Sequence, residues 1–144
     1  MVLNTRCFGE VELKEEKILH FSAGLPGFEH IKDYVILENS DEESTFKWLQ
    51  SIDEPQLAFV IVNPFIFVED YDFVLSDETI EKLEIDNESD VAVYAIVVVP
   101  DDLKKISMNL KAPIVVNAGK MKAAQIILDT DKYTVRHYIL DEVK

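Results

Sequence analysis

The chain has 144 residues, 48% hydrophobic and 29% charged, with 28 acids against 14 Lys and Arg for a formal net charge of −14. That is enough sequence to bury a core of its own, and it is too apolar for a disordered chain. The twofold excess of acids argues against direct binding to nucleic acid or to an anionic membrane, since both draw their affinity from Lys and Arg on phosphates. No apolar run approaches the roughly 20 residues that cross a bilayer; the longest is Val91–Pro100. The N-terminus lacks the charged-then-apolar layout of a signal peptide, and the lone Cys7 allows no internal disulfide. A cytoplasmic protein folded by burial alone is expected, with Cys7 as a buried strand thiol.

In chain order, the apolar spacing is mostly period two and rich in β-branched and aromatic residues, the mark of strands. Glu10–Leu13 alternates, Lys14-Glu15-Glu16 turns, and Lys17–Phe21 returns, which predicts a hairpin. Ala23-Gly24-Leu25-Pro26-Gly27 suits a type II turn, with Pro26 pre-setting φ and Gly27 taking φ > 0. Phe28–Lys32 is a short helical turn in this reading. Strands are expected at Tyr34–Leu37, Phe46–Ile52, Leu57–Val62 and Tyr71–Leu75, then a two-turn helix at Ser76–Leu83 with Ser76 as N-cap and acids in its first turn. Val91–Val99 is apolar throughout and must be covered on both faces. Ile106–Leu110, Pro113–Asn117, Ala123–Leu128 and Tyr133–Leu140 complete the strands, with Asn117–Lys120 as a hairpin loop. About ten short strands and no linker predict an all-β single domain over residues 1–144: a small antiparallel β-barrel-like fold with one or two short helices.

Chemistry-bearing constellations are sparse. There is no Gly-x-Ser-x-Gly elbow, and His20, His30 and His137 carry no local catalytic signature. His137 shares a face with Val135 and Ile139 if its strand is regular. Asp86-Asn87-Glu88-Ser89-Asp90 opens like an EF-hand loop, but Val91 stands where the turn needs Gly and Val97 where it needs Glu. Zinc spacing and phosphate-cradling loops are absent too. No catalytic residue, cofactor or metal is therefore expected, and the protein is read as a non-enzyme. Carboxylate pairs such as those among Glu69, Asp70 and Asp72 arise by chance in so acidic a segment.

The charge itself is concentrated. Residues 69–90 hold ten acids against Lys82, residues 38–54 hold six against Lys47, and the remaining 12 acids and 12 bases cancel. Asp53-Glu54-Pro55 and Asn63-Pro64-Phe65-Ile66-Phe67-Val68-Glu69-Asp70-Tyr71-Asp72 set rings among carboxylates. Rings supply buried area and acids steer, so this pattern fits a face for a basic, partly apolar partner.

Phe21-Ser22-Ala23-Gly24-Leu25-Pro26-Gly27-Phe28-Glu29 resembles the opening motif of the FliW family of flagellar assembly factors. The likeness runs on through Trp48–Phe59, Asn63-Pro64, Asp70-Tyr71-Asp72-Phe73, Asn109–Asn117, Gln125–Leu128, Tyr133 and Arg136, across nearly the whole chain. The resemblance implies a small β-barrel-like, non-enzymatic regulator. It implies binding to the RNA-binding translational repressor CsrA, allosteric relief of its block on flagellin mRNA, and binding to flagellin, so that flagellin translation follows export. An acidic partner suits a basic repressor, and Asp53, Glu54, Glu69, Asp70, Asp72, Asp77 and Glu78 are expected on the repressor-binding surface, with Tyr71 as a ring anchor. Two alternatives stand beside this: a small-molecule-binding barrel with a cavity lined by Tyr94, Tyr133 and Tyr138, and an acidic nucleic-acid mimic occupying the repressor's RNA groove.

Overall fold

Strand pairing organises the molecule, a computed structural model that describes residues 2–6, 8–38 and 46–139. The strands are β1 (Val2–Thr5), β2 (Gly9–Glu12), β3 (Leu19–Phe21), β4 (Asp33–Glu38), β5 (Phe46–Ser51), β6 (Ala58–Val62), β7 (Val91–Val98), β8 (Ser107–Met108), β9 (Ile114–Asn117), β10 (Lys122–Gln125) and β11 (His137–Tyr138), with one α-helix, α1 (Asp77–Lys82). Seven of them run in the order β9-β10-β3-β4-β5-β6-β7, and pairing of β7 with β9 closes the ring into a barrel. β8 and β11 extend from β7 outside the ring, and β1–β2 is a separate hairpin.

Several expectations are corrected. The barrel is not wholly antiparallel, because β3 and β10 run parallel. The expected hairpin over residues 10–21 does not form: β2 pairs with β1, Val2 opposite Glu12, and β3 enters the barrel between β4 and β10. Alternation identifies a face to bury but leaves the partner strand open. Leu3 and Leu13 bury against Val35, whereas Leu19 and Phe21 point into the barrel. Phe28–Lys32 makes only a turn, closed by Ile31 N–H to the Phe28 carbonyl at 3.0 Å. The type II turn before it forms as read, with Gly27 at φ 86° and Phe28 N–H donating to the Leu25 carbonyl at 2.7 Å. Residues 71–75 form no strand, and the strands expected at 106–110, 123–128 and 133–140 shorten to β8, β10 and β11. Cys7, Leu140 and the acidic run 39–44 lie outside the described residues.

The core has three parts. Phe21, Tyr34, Leu49, Ile61 and Ile114 fill the barrel, with Phe21 and Tyr34 edge-on at 5.2 Å. Val62, Tyr71, Met108, Leu110, Tyr133 and Ile139 form a second cluster, and Leu3, Leu13 and Val35 a third. The apolar strand β7 serves two of them, as its pattern requires: Ala92, Tyr94 and Ile96 face the barrel core, while Val93, Ala95 and Val97 face the second cluster. The barrel core covers one face, and segments outside the ring cover the other.

Candidate partner-binding face

The segment from Asn63 to Ser76 crosses outside the barrel without sheet pairing, so other groups must hold its backbone. Asn63 starts it, its side-chain oxygen accepting from Phe65 N–H at 3.0 Å ahead of a 3₁₀ turn at Pro64–Ile66. Tyr71 then pins it. Its hydroxyl donates to the Leu110 carbonyl at 2.6 Å, and its ring meets Tyr133 edge-on at 4.6 Å and Phe65 and Phe73 at 5.7 and 5.4 Å. Tyr133 returns the favour by accepting from the Asp72 backbone N–H at 2.9 Å. Burial drives the Tyr71 phenol pKa far upward, with Tyr133 adding to it. Tyr71 is only 3% exposed, which corrects its expected role as a surface anchor. An unpaired extended segment needs a ring in the core more than one at the surface.

Helix α1 follows as read. The Ser76 hydroxyl accepts from Thr79 N–H at 3.1 Å, and Asp77 and Glu78 occupy the first turn, where the dipole favours carboxylates. Its far end is fastened by Asn117, buried at the end of β9, whose side-chain amide donates to the carbonyls of Leu83 at 2.8 Å and Glu84 at 3.1 Å. Lys122 pairs with Glu84 and, chiefly through that hydrogen bond, holds its carboxyl below the usual range. The EF-hand-like stretch is a capped turn: Asn87 accepts from Ser89 N–H at 3.1 Å, and the Asp90 carbonyl accepts from Ala118 N–H.

Between this outer segment and β7 lies an open groove of about 780 Å³, lined by Phe73, Val74, Ile80, Ile85, Val91 and Val93 among others. Asp72 and Glu88 stand on it as acids and Lys47 as its base. Lys47 is paired to Glu38 at 2.8 Å and lies 5.8 Å from the Tyr94 ring centre. The hydrogen bond that Lys47 donates to Glu38 raises the Lys47 pKa against the opposing effect of burial.

The seven expected acids are all exposed, but they are not together. Glu69, Asp70 and Asp72 lie on the outer segment, and Asp77 and Glu78 follow in the first turn of α1. Asp53 and Glu54 occupy the β5–β6 turn, at the other end of that hairpin from Asn63. Five paired rungs separate the two ends, Phe46–Val62 to Gln50–Ala58, roughly 15 Å at the usual strand rise. Among the described residues, the first acidic window approaches the second at the groove, where Lys47 pairs with Glu38. Asp53 instead sits near the buried Tyr34, whose phenol is pushed up to about 12 by burial first and by this carboxylate second.

The tyrosine-lined cavity is corrected. Tyr94 packs on the barrel core, Tyr133 sits in the second cluster, and Tyr138 is exposed on β11, so the three share no cavity. Phe21, Tyr34, Leu49, Ile61 and Ile114 pack together inside the barrel, while Leu19, Ile36, Tyr94 and Val116 line an open cavity together with Leu13 and Lys17. His20 makes an exposed pair with Asp33 at 2.8 Å. Val135 is exposed and Ile139 buried, so His137 does not share one face with both. Among the described residues no helix is long and apolar enough to cross a membrane.

The family profile described as "FliW protein" matches residues 2–139. The chain belongs to the FliW family. It is 57% identical over 144 residues, all of this chain and 97% of the relative, to a protein of Ruminiclostridium cellulolyticum named "Flagellar assembly factor FliW". A Bacillus subtilis protein of the same name is 43% identical, with 96% of each chain covered. The solved structure titled "Crystal structure of the flagellar assembly factor FliW" superposes with a TM-score of 0.90 at 37% identity, covering 96% of each chain.

In this FliW-family chain the residues that carry the resemblance mostly hold turns. Gly24 has φ 65°, and a Cβ there would meet the Glu29 backbone at 2.7 Å. Gln50 spans the β5–β6 turn, donating to the carbonyls of Ser51 and Pro55 and, more weakly, Leu57. Asn109 accepts from Lys111 and Ala112 N–H, and Gln125 donates to the Ala112 carbonyl. Sequence reading missed the apolar groove lining and the bracing role of Asn117. A polar residue closing the otherwise apolar run Ile114–Val116 was the available signal for the latter.

Proposed function

We propose that this chain is a non-enzymatic cytoplasmic flagellar assembly factor that binds CsrA through the outer acidic segment and relieves repression of flagellin mRNA. It also binds flagellin, which releases the repressor and ties flagellin translation to export. The observation that carries this reading is the run of exposed acids Glu69, Asp70, Asp72, Asp77 and Glu78 along one segment of a FliW-family chain. A protein that grips RNA presents Lys and Arg, and this face offers mostly the opposite sign. Opposite potentials speed encounter and orient it, with strong dependence on salt. Asp53 and Glu54, at the other end of β5–β6, contribute to the field that steers the repressor. Tyr71 acts by holding the segment in place.

Affinity capture from a motile host's lysate, with salt titrated, tests the reading. Recovery of a small basic RNA-binding protein and of flagellin in separate pools is the expected result; recovery of neither contradicts it. Equilibrium binding with labelled flagellin leader RNA then separates allosteric relief from mimicry. Allostery leaves residual RNA affinity at saturating concentrations of this protein, whereas a mimic displaces RNA in simple competition.

A further inference from the structure

One end of the barrel opens into a cavity of about 1030 Å³. The start of β3, the end of β4, the start of β7, the end of β9 and the start of β10 meet there, as their pairing requires. Its walls are aliphatic: Leu13, Leu19, Ile36, Val116 and Met121, with the Tyr94 ring beside them. Met121 stands in the left-handed region at φ 55°, in the β9–β10 loop, and lends the wall a flexible, adaptable side chain. Apart from the Tyr94 hydroxyl, the polar side chains on the cavity are all charged and belong to exposed residues. The polarity therefore lies at the rim, over an apolar interior.

The rim departs from the charge of the whole chain. Lys14 and Lys17, which follow β2, and Lys120, in the β9–β10 loop, stand on it, and none of the three forms an ion pair among the described residues. Lys120 adds to the field on Glu84, but Lys122 makes the bond. Glu12, Glu16 and Glu38 are the acids of the rim, and Glu38 is committed to Lys47. Three unpaired bases thus face two unpaired acids, on a chain where acids outnumber Lys and Arg two to one. We propose that this mouth binds a free long-chain fatty acid, its alkyl tail against Leu19, Ile36 and Val116 and its carboxylate among Lys14, Lys17 and Lys120. Barrel mouths are common ligand sites, and a tail without polar atoms suits walls that offer it almost no hydrogen-bonding group. A cationic amphiphile of the same shape meets three charges of its own sign.

Fluorescence titration of the full chain with dansylaminoundecanoate, kept below its micelle concentration, tests this. The expected results are a blue-shifted, saturable signal and its displacement by dodecanoate. Dodecylammonium, with the same tail and the opposite charge, should displace the probe about tenfold less effectively or worse. The triple variant Lys14→Gln, Lys17→Gln, Lys120→Gln changes only exposed, unpaired side chains and should weaken dodecanoate by about tenfold. Ala92→Phe puts a ring into the cavity, which Ala92 lines, and should abolish the signal. No saturable signal from the wild-type chain overturns the proposal, and so does equal displacement by dodecylammonium. Wild-type dodecanoate affinity in the folded triple variant removes the lysines from the site and overturns it as well. Undiminished probe binding by folded Ala92→Phe places the ligand elsewhere, with the same consequence. If Ala92→Phe does not fold, the lysine variant decides.

Discussion

Two buried tyrosines mark the contrast between the closed barrel and the segment laid across its outside. Tyr34, inside the barrel, is fully buried, and its hydroxyl has no hydrogen-bond partner among the described residues. Tyr71, under the outer segment, spends its hydroxyl on the Leu110 carbonyl. The barrel is held by its ladders and can carry a ring for volume alone. The outer segment has no ladder, so each polar contact replaces one a sheet would have supplied. That division leaves the outer segment's remaining side chains free to face solvent, the acids Glu69, Asp70 and Asp72 among them.

Substitutions can break this contrast at either end. Tyr71→Ala should cost about 4 kcal/mol in chemical denaturation. Amide exchange should accelerate more over residues 63–76 than in β4 and β5, whereas uniform acceleration would mean the segment and barrel open together. Gly24→Ala forces a Cβ into the Glu29 backbone at positive φ and should cost about 3 kcal/mol. Its effect belongs to the barrel rim and should leave the outer segment's exchange pattern unchanged. Asn117→Ala strands the Leu83 carbonyl, at about 2 kcal/mol, and should fray α1 first; a helix exchanging as in wild type would show that water replaces the amide without loss.

Tyr34→Phe has the smallest effect: stability unchanged or raised by about 1 kcal/mol, since it removes an unpartnered hydroxyl. It also has a pH signature. The unfolded phenol releases its proton near pH 10, the folded one near 12. Between these values the folded state binds more protons, so stability falls as pH rises. Denaturation midpoints measured from pH 9 to 12 should fall less steeply for Tyr34→Phe than for wild type, and equal slopes would remove the assignment.

The barrel was largely legible in the sequence because period-two burial is a local signal. β4, β5, β6, β7 and β9 appear close to where their apolar residues alternate or run together, and α1 starts where Ser76 precedes two acids. Pairing partners were not legible, since β3 finds β4 and β10 through contacts distant in sequence. Tyr71–Leu75 misled for a physical reason. Alternating Tyr71, Phe73 and Leu75 do share an inward bias, yet the segment lies on a barrel whose edges are already closed and has no ladder to join. The acids were legible as exposed charge. Their division between the outer segment and the β5–β6 turn was not, because it depends on the length of a hairpin and not on spacing along the chain.

The central claim is that the outer acids provide the attraction for a basic repressor. Its most direct test is CsrA affinity for the triple variant Glu69→Gln, Asp70→Asn, Asp72→Asn across a salt series, with circular dichroism confirming the fold. The account predicts weaker binding at low salt and a flatter salt dependence than wild type. Wild-type affinity with a wild-type salt slope in the folded variant would contradict it.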